Sequence, residues 1–189
     1  DYHDLWINPD DSDILAISDD GGVQVTLDQM DTWTTYLNQP TAEIYNIFVD
    51  NLFPYHVYGS QQDNSTIRLP SRFLGALTPY GYWRSVGGCE SAHIGFDPDN
   101  PVEIYAGCYS GEISRVNLET GDRQAIMVYP QMEFGLPASD LKFRFNWNAP
   151  IRMSPHDQSI VYHSAQNVVR TRDGGHSWEV ISPDLTTDD

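Results

Sequence analysis

Basic residues are scarce: 10 lysines and arginines stand against 27 acids, Lys142 is the single lysine, and the formal charge is −17. So acidic a surface repels phosphate backbones and anionic lipid, which excludes nucleic acid and membrane surfaces as natural partners and leaves neutral or cationic ones. There is no apolar run as long as the 18 residues a membrane-crossing helix needs, so no membrane span is expected. No initiator methionine or signal peptide is present, and the chain reads as a mature or excised segment. The six histidines show no HExxH spacing, and neither cysteine belongs to a CxxC pair. An EF-hand-like loop, a glycine-rich phosphate loop and a nucleophile elbow are all missing. No cofactor and no metal are therefore expected, although a calcium ion among the acidic turns is left open by the pattern.

What is present points to a globular chain. Hydrophobic residues make up 40% and aromatics 12% of 189 residues, enough for one well-buried domain or a piece of a larger one. Four segments share one plan: an alternating run, an Asn/Asp/Ser turn before or with proline, a short apolar run, a polar turn, another run, and an acid-containing turn before tryptophan or its equivalent. The first is "DLWINPDDSDILAISDDGGVQVTLDQMDTW", the third "HIGFDPDNPVEIYAGCYSGEISRVNLETGDR", the fourth "PIRMSPHDQSIVYHSAQNVVRTRDGGHSW". The second, "IYNIFVDNLFPYHVYGSQQDNSTIRLPSR", reaches its Trp83 only after an insertion around "FLGALTPYG". Pro9 to Trp33 is 24 residues, Pro98 to Arg123 is 25, Pro155 to Trp178 is 23, and Pro54 to Trp83 is 29.

Short runs separated by turn residues, without a 3.6-residue period, argue for an all-β chain. Four strands per unit of about 40–50 residues is the period of a β-propeller blade. The expected fold is a propeller segment of about four four-stranded antiparallel blades, roughly 1–40, 41–88, 89–128 and 143–185. In the third unit the strands are expected at 92–96, 103–108 and 112–117, and in the fourth at 150–153, 160–164, 168–172 and 178–181. The stretch 128–143 is too long for a simple connection and is expected to form a projecting loop.

Residues 171–178, "TRDGGHSW", fit Ser/Thr-x-Asp-x-Gly-x-Ser/Thr-Trp at every fixed position: Thr171, Asp173, Gly175, Ser177 and Trp178. Residues 26–33, "TLDQMDTW", keep Thr26, Asp28, Thr32 and Trp33 but carry Met30 in place of the glycine. Asp173 can accept backbone N–H groups of its own turn, Gly175 permits positive φ, and the Trp178 ring can be buried between blades. A structural role for the string is thus expected, with His176 a solvent-exposed turn residue.

This string resembles the Asp-box, or BNR repeat, of sialidase-like and sortilin-like propellers. Together with "YGSQQDNS", "GGCESAHIGFDPDNP", "RFNWNAPIRMSPHD" and "TRDGGHSWEVISPDLTT", it makes the chain similar to secreted bacterial BNR-repeat proteins of the glycosyl hydrolase-like kind, relatives of xyloglucan-cleaving propellers. The resemblance implies seven or more blades, the remainder coming from sequence absent from this chain or from another chain. It also implies a secreted, periplasmic or extracellular protein directed at a polysaccharide and acting, if it is an enzyme, as a glycoside hydrolase with paired carboxylates. A non-catalytic propeller binding protein or peptide, as sortilin does, or acting as a scaffold, is the alternative.

In a propeller the turns between second and third strands and the connections from a fourth strand to the next first strand share the usual ligand face. That collects Asp19, Asp20, Gln62, Asp63, Asn64, Glu90, Tyr109, Gln166 and Asn167, while the innermost strands bring His3, Tyr45, His93, Asn146, Asn148 and Arg152 toward the axis. Glycoside hydrolysis needs two carboxyl groups roughly 5–10 Å apart, for which Asp63 with Glu90 or Asp19 are the candidates. Gln62, Asn64, Tyr109, Asn148 and Arg152 are the candidate ligand contacts. Ordinary turn chemistry also accounts for "SDDGG" and "QQDNS". Aromatic platforms are offered by Tyr80, Tyr82 and Trp83, and by Phe143, Phe145 and Trp147, whose alternation in "FRFNW" fits one strand face, in core or platform. A hairpin around "DPDNP" pairs residues whose numbers sum to about 198, and Cys89 with Cys108 sum to 197. A disulfide suited to a secreted protein and two separate thiols are both open. Asn64-Ser65-Thr66 is a glycosylation sequon, idle in a bacterial protein.

Overall fold

The computed structural model describes residues 1–35, 42–72, 82–131 and 134–187. Four antiparallel sheets follow one another along the chain. The first holds β1 (Tyr2–Ile7), β2 (Leu15–Asp19) and β3 (Gly22–Thr26); the second β4 (Ile44–Val49), β5 (His56–Gln61) and β6 (Thr66–Pro70). The third holds β7 (Ile94–Gly95), β8 (Glu103–Gly107), β9 (Ile113–Asn117) and β10 (Arg123–Ala125). The fourth holds β11 (Ile151–Met153), β12 (Val161–Ser164), β13 (Val168–Thr171) and β14 (Glu179–Val180). Each sheet adds its strands in chain order, which is the meander of a propeller blade, and the fold is an all-β partial propeller. Among the described residues no helix is long and apolar enough to cross a membrane.

The turn between first and second strands uses the same chemistry four times. Asn8 Oδ1 accepts from Asp10 N at 3.1 Å, Asp50 Oδ1 from Leu52 N at 3.3 Å, Asp97 Oδ1 from Asp99 N at 3.0 Å, and Ser154 Oγ from His156 N at 3.2 Å. A short polar side chain bonding the amide two residues on turns the chain without help from the sheet, which explains why Asn, Asp and Ser mark this point. In the second blade the first residue of the turn is also buried: the Asp50 carboxylate accepts from His56 N at 2.8 Å, His56 Nδ1 at 2.9 Å and Tyr58 OH at 2.9 Å. Burial pushes the Asp50 carboxyl up, but these donors outweigh it and hold the group below its ordinary range.

Side chains of one strand alternate between neighbouring blades. Ile104 and Ala106 of β8 join Tyr58, Val86, Ile94 and Phe96 in a core between the second and third blades, with the Tyr58 and Phe96 rings 4.4 Å apart. Tyr105, pointing the other way, joins Ile113, Ile126, Ile151 and Val161 between the third and fourth. Ile151 on the innermost strand of the fourth blade lies against Gly95 and Gly107, where an added Cβ would stand 2.9 and 3.0 Å from its methyl groups. The innermost strands are thereby brought side by side, and the turns at one end of the blades are gathered on one face.

Two expectations are corrected. Only the third and fourth blades carry four described strands. In the first, Thr34 N bonds Val25 O at 2.9 Å without forming a strand, and in the second the outer strand is reduced to one bridge, Arg68 with Arg84. An outermost strand is paired on one side only, so it is the first to be lost. Residues 143–147 are not a strand either. Phe143 is buried, Phe145 stacks on the buried His163 at 4.8 Å, and Trp147 is 43% exposed. The base of the long loop is closed by the Gln131 side chain, whose Oε1 accepts from Phe143 N at 3.2 Å.

The two box-like turns are superimposable in their hydrogen bonds. Thr171 Oγ1 donates to Asp173 Oδ1 at 2.8 Å and accepts from Gly175 N at 2.9 Å; Asp173 accepts from Ser177 N at 2.9 Å and Ser177 Oγ at 2.6 Å. Thr26, Asp28, Met30 and Thr32 make the same four bonds at 2.8, 3.0, 2.9 and 2.6 Å. Trp178 is half-buried, and its Nε1 donates to Ile126 O of the preceding blade at 2.9 Å, so this turn ties the fourth blade to the third. His176 is exposed.

Gly175 has φ of +93° and an added Cβ would stand 2.6 Å from Ile126, whereas Met30, with φ of +76°, is exposed. Gly175→Ala is expected to cost about 1–3 kcal/mol and Met30→Gly to gain up to about 1 kcal/mol, read by urea denaturation; equal effects at both positions would refute the equivalence. The Ser177 hydroxyl, its amide and the Thr171 hydroxyl hold the Asp173 carboxyl well below the carboxylate range. A pKa lowered by folding contributes stability that is present above the unfolded value near 4 and lost as acid protonates the native group. Between about pH 5 and about pH 2, Asp173→Asn should therefore lose less stability than the parent chain in the same melts.

Candidate ligand-binding face

The turns between second and third strands meet at one end of the blades. In the first blade this turn follows Asp19 at the end of β2. There Asp19 Oδ1 accepts from Gly21 N at 2.8 Å and Gly22 N at 3.0 Å, so this carboxylate is engaged by its own turn. Asp20, one residue on, points to its neighbours: Oδ1 contacts His3 Nε2, and Oδ2 accepts from Gln62 Nε2 at 3.2 Å. The hydrogen bond from His3 is the main reason the Asp20 carboxyl lies below its ordinary pKa range, with burial opposing it.

The second blade supplies the hub. Asp63 takes a left-handed φ of +54°, a conformation Asp tolerates, which turns the loop "QQDNS" outward. Gln62 Nε2 reaches Asp63 Oδ1 at 3.3 Å as well as Asp20, while Tyr45 OH donates to Gln62 Oε1. One neutral amide thus stands between two carboxylates, giving its N–H groups to both. Asp63 N donates to Glu90 Oε2 at 2.8 Å, bringing in the third blade. Trp147 Nε1 donates to Tyr45 OH at 3.3 Å, bringing in the fourth. One side-chain network therefore crosses all four blades. Among the described residues, no partner of these three carboxylates is an arginine or lysine.

Beside the carboxylates lies an aromatic surface. Tyr109 opens the 3-10 turn Tyr109–Gly111 between β8 and β9, and its ring stacks on Trp147 with centroids 4.8 Å apart and planes at 18°. Phe134 of the long loop meets Tyr109 edge-on at 5.7 Å and is 66% exposed. Asn148 Nδ2 reaches Ser91 O at 3.4 Å, next to Glu90.

Asp63, Glu90, Gln62 and Tyr109 are thus brought to one face with Asp20, Tyr45 and Trp147, while the Asp19 carboxylate is taken up by the amides of its own turn. Asn64 is in the same turn, its N–H closing on Gln61 O at 3.0 Å. Arg152 sits apart, over the Phe48 ring at 5.3 Å, and that ring meets His93 edge-on at 5.6 Å. Burial, with Arg152 adding to it, pushes the His93 ring pKa down. Gln166 is fully used in holding the loop, accepting from Arg144 N at 2.7 Å and donating to Lys142 O at 2.9 Å; Asn167 Nδ2 reaches Ser182 O at 3.3 Å. Trp83 is exposed beside Arg84 at the outer edge of the second blade, and Tyr80 lies outside the described residues. Phe134 was not legible, because no spacing connects it to Tyr109. Cys89 and Cys108 form a disulfide with Cα atoms 4.9 Å apart. Among the described residues no cluster of His, Cys, Asp and Glu is suited to a metal ion.

No family model matches the chain, and no curated protein does. Among solved structures it is similar to a GH74 xyloglucanase from Xanthomonas campestris, at 17% identity and a TM-score of 0.49, over 96% of this chain and 30% of that one. It is also similar to AztD from Citrobacter koseri (11%, TM-score 0.49, 91% and 46%) and YCF48 from Cyanidioschyzon merolae (14%, TM-score 0.45, 91% and 55%). The chain spans 30% to 55% of the length of these three proteins.

The bridging amide generates a test. Gln62→Glu places a third carboxyl between Asp20 and Asp63, where ionisation is opposed by both neighbours. Its pKa is raised by folding, so protonation stabilises the variant. Thermal melts should find it less stable than the parent at about pH 7, with the gap narrowing toward about pH 5. A gap independent of pH would show that the three groups do not share one site.

Proposed function

We propose that this chain is a four-blade part of a larger Asp-box propeller, built from units near 1–40, 41–88, 89–128 and 143–185, that works outside the cytoplasm and binds a glycan on this face. The supporting observation is the Tyr109–Trp147 stack beside the Asp20, Asp63 and Glu90 carboxylates. The exposed Trp147 ring, backed by the half-buried Tyr109, suits the apolar face of a sugar ring, and fixed carboxylates accept hydrogen bonds from its hydroxyls. The acidic balance, with no described arginine or lysine side chain on these groups, favours a neutral polysaccharide over an anionic one. The further blades, from sequence absent from this chain or from another chain, would cover the apolar residues that β1 leaves open: Tyr2, Leu5, Trp6 and Ile7 are each at least half exposed.

Hydrolysis at the same face falls to Asp63 and Glu90 as the paired carboxylates. An amide N–H donates to each, and the Asp1 ammonium lies 3.5 Å from Asp63 Oδ2, so both carboxylates act as acceptors, as hydroxyl recognition requires. Binding is therefore the primary reading, and cleavage by this pair the second.

Affinity electrophoresis against neutral polysaccharides, xyloglucan among them, tests both. Trp147→Ala and Glu90→Gln should each weaken binding by about tenfold or more, from loss of a stacking surface and of a charged acceptor. Release of reducing ends that Asp63→Asn and Glu90→Gln abolish would add catalysis. Saturable binding to peptides with none to sugars would overturn the glycan reading in favour of a protein-binding propeller.

A further inference from the structure

The Cys89–Cys108 disulfide joins the two loops that carry the carboxylate and the aromatic ring of the face. Glu90 follows Cys89 directly, and Tyr109 follows Cys108 directly. Neither cysteine lies in a strand, because β7 begins only at Ile94 and β8 ends at Gly107. Beyond the pairing of Gly107 N with His93 O at 3.0 Å, the described backbone bond between the loops is Cys89 N to Gly107 O at 3.1 Å. The approach is close: a Cβ on Gly88 would stand 2.3 Å from Gly107 O. On the far side of the cross-link, Cys108 N bonds Glu112 O at 2.8 Å around a turn in which Ser110 has φ of +61°. Each loop leaves the sheet before it reaches the residue that touches the face. The cross-link stands where regular pairing has stopped.

We propose that this disulfide is a positioning element for the ligand face, holding Glu90 against the Asp63 amide and Tyr109 against Trp147, so that the face is assembled in the oxidised chain and loosened in the reduced one. The proposal rests on the glycan-binding reading for its consequence and on the loop geometry for its cause. Reduction breaks one S–S bond and forms two thiols: an external dithiol supplies two electrons and two protons and is left as its disulfide, or a phosphine supplies the electrons and water the protons, leaving the phosphine oxide. The loops then keep their turns but lose their common reference. Glu90 Oε2 leaves the Asp63 amide, and the Tyr109 ring drifts from Trp147. Affinity falls because a preorganised surface has become one that binding must order. An ordinary stability cross-link would act differently, loosening every blade in proportion to its share of the global unfolding reaction.

Hydrogen exchange separates these cases without any ligand. The Cys89→Ala, Cys108→Ala double variant and the parent chain treated with a phosphine are compared with the oxidised parent, each also titrated with xyloglucan oligosaccharides. The expected result is faster exchange confined to residues 61–64, 89–92 and 108–112, with the amides of β8, β9, β12 and β13 unchanged and sugar binding at least about tenfold weaker. If exchange changes in this way but no form binds the sugar, the positioning role stands and the glycan reading fails. Unchanged exchange at the Asp63 amide overturns the proposal. So does protection lost throughout the chain, which marks a staple of the whole fold. Loosened loops with undiminished sugar binding overturn it as well.

Discussion

The structure depends on β8 having both of its faces covered. A strand satisfies its backbone within the sheet, but its side chains alternate, and a strand of Ile104, Tyr105 and Ala106 has apolar groups on each side. Such a sheet needs another sheet above it and another below. The third blade therefore lies between the second and fourth, with Tyr58 and Phe96 filling one gap and Ile151 and Val161 the other. Close stacking is possible because Gly95 and Gly107 leave room for Ile151 at the inner end. Once the inner strands are adjacent, the turns at one end have nowhere to go but toward one another. The polar face follows from the apolar gaps.

The polar face is held by side chains, whereas the rest of the arc is held by packing. Tyr45, Gln62 and Trp147 form a line of donors whose last members end on carboxylates, and each blade contributes to it. Gln62 matters most because it is neutral: it keeps Asp20 and Asp63 near each other without adding a charge of either sign. The first blade, whose β1 is exposed along its length, is joined to the others through this network at Asp20.

Much of this was legible from the sequence, and the failures have physical causes. The second and third strands of each unit were visible because their alternation is enforced from two sides. β12 and β13 fall within one residue of the expected bounds. The outer strands expected in the first two blades are not formed among the described residues, since an edge strand is paired on one side and is the first to be lost. The alternation of "FRFNW" imitated a strand, but among the described residues the segment joins no sheet, and Phe143 turned inward and Trp147 outward. The choice of Asp63 and Glu90 placed two carboxylates on one face. Asp19 and Asp20 are acids in the same turn, and the sequence does not tell their directions apart. Only the backbone direction decides that the first caps its own glycines and the second reaches the next blade.

Met30 carries a wider consequence. Its turn lacks the glycine of the motif and yet makes every hydrogen bond that the turn around Gly175 makes. The glycine is demanded where Ile126 crowds the backbone, and is dispensable where the turn faces water. What persists from copy to copy is therefore a hydroxyl and a carboxylate set two residues apart. A pattern that insists on glycine will miss such copies and so undercount the blades of proteins built this way.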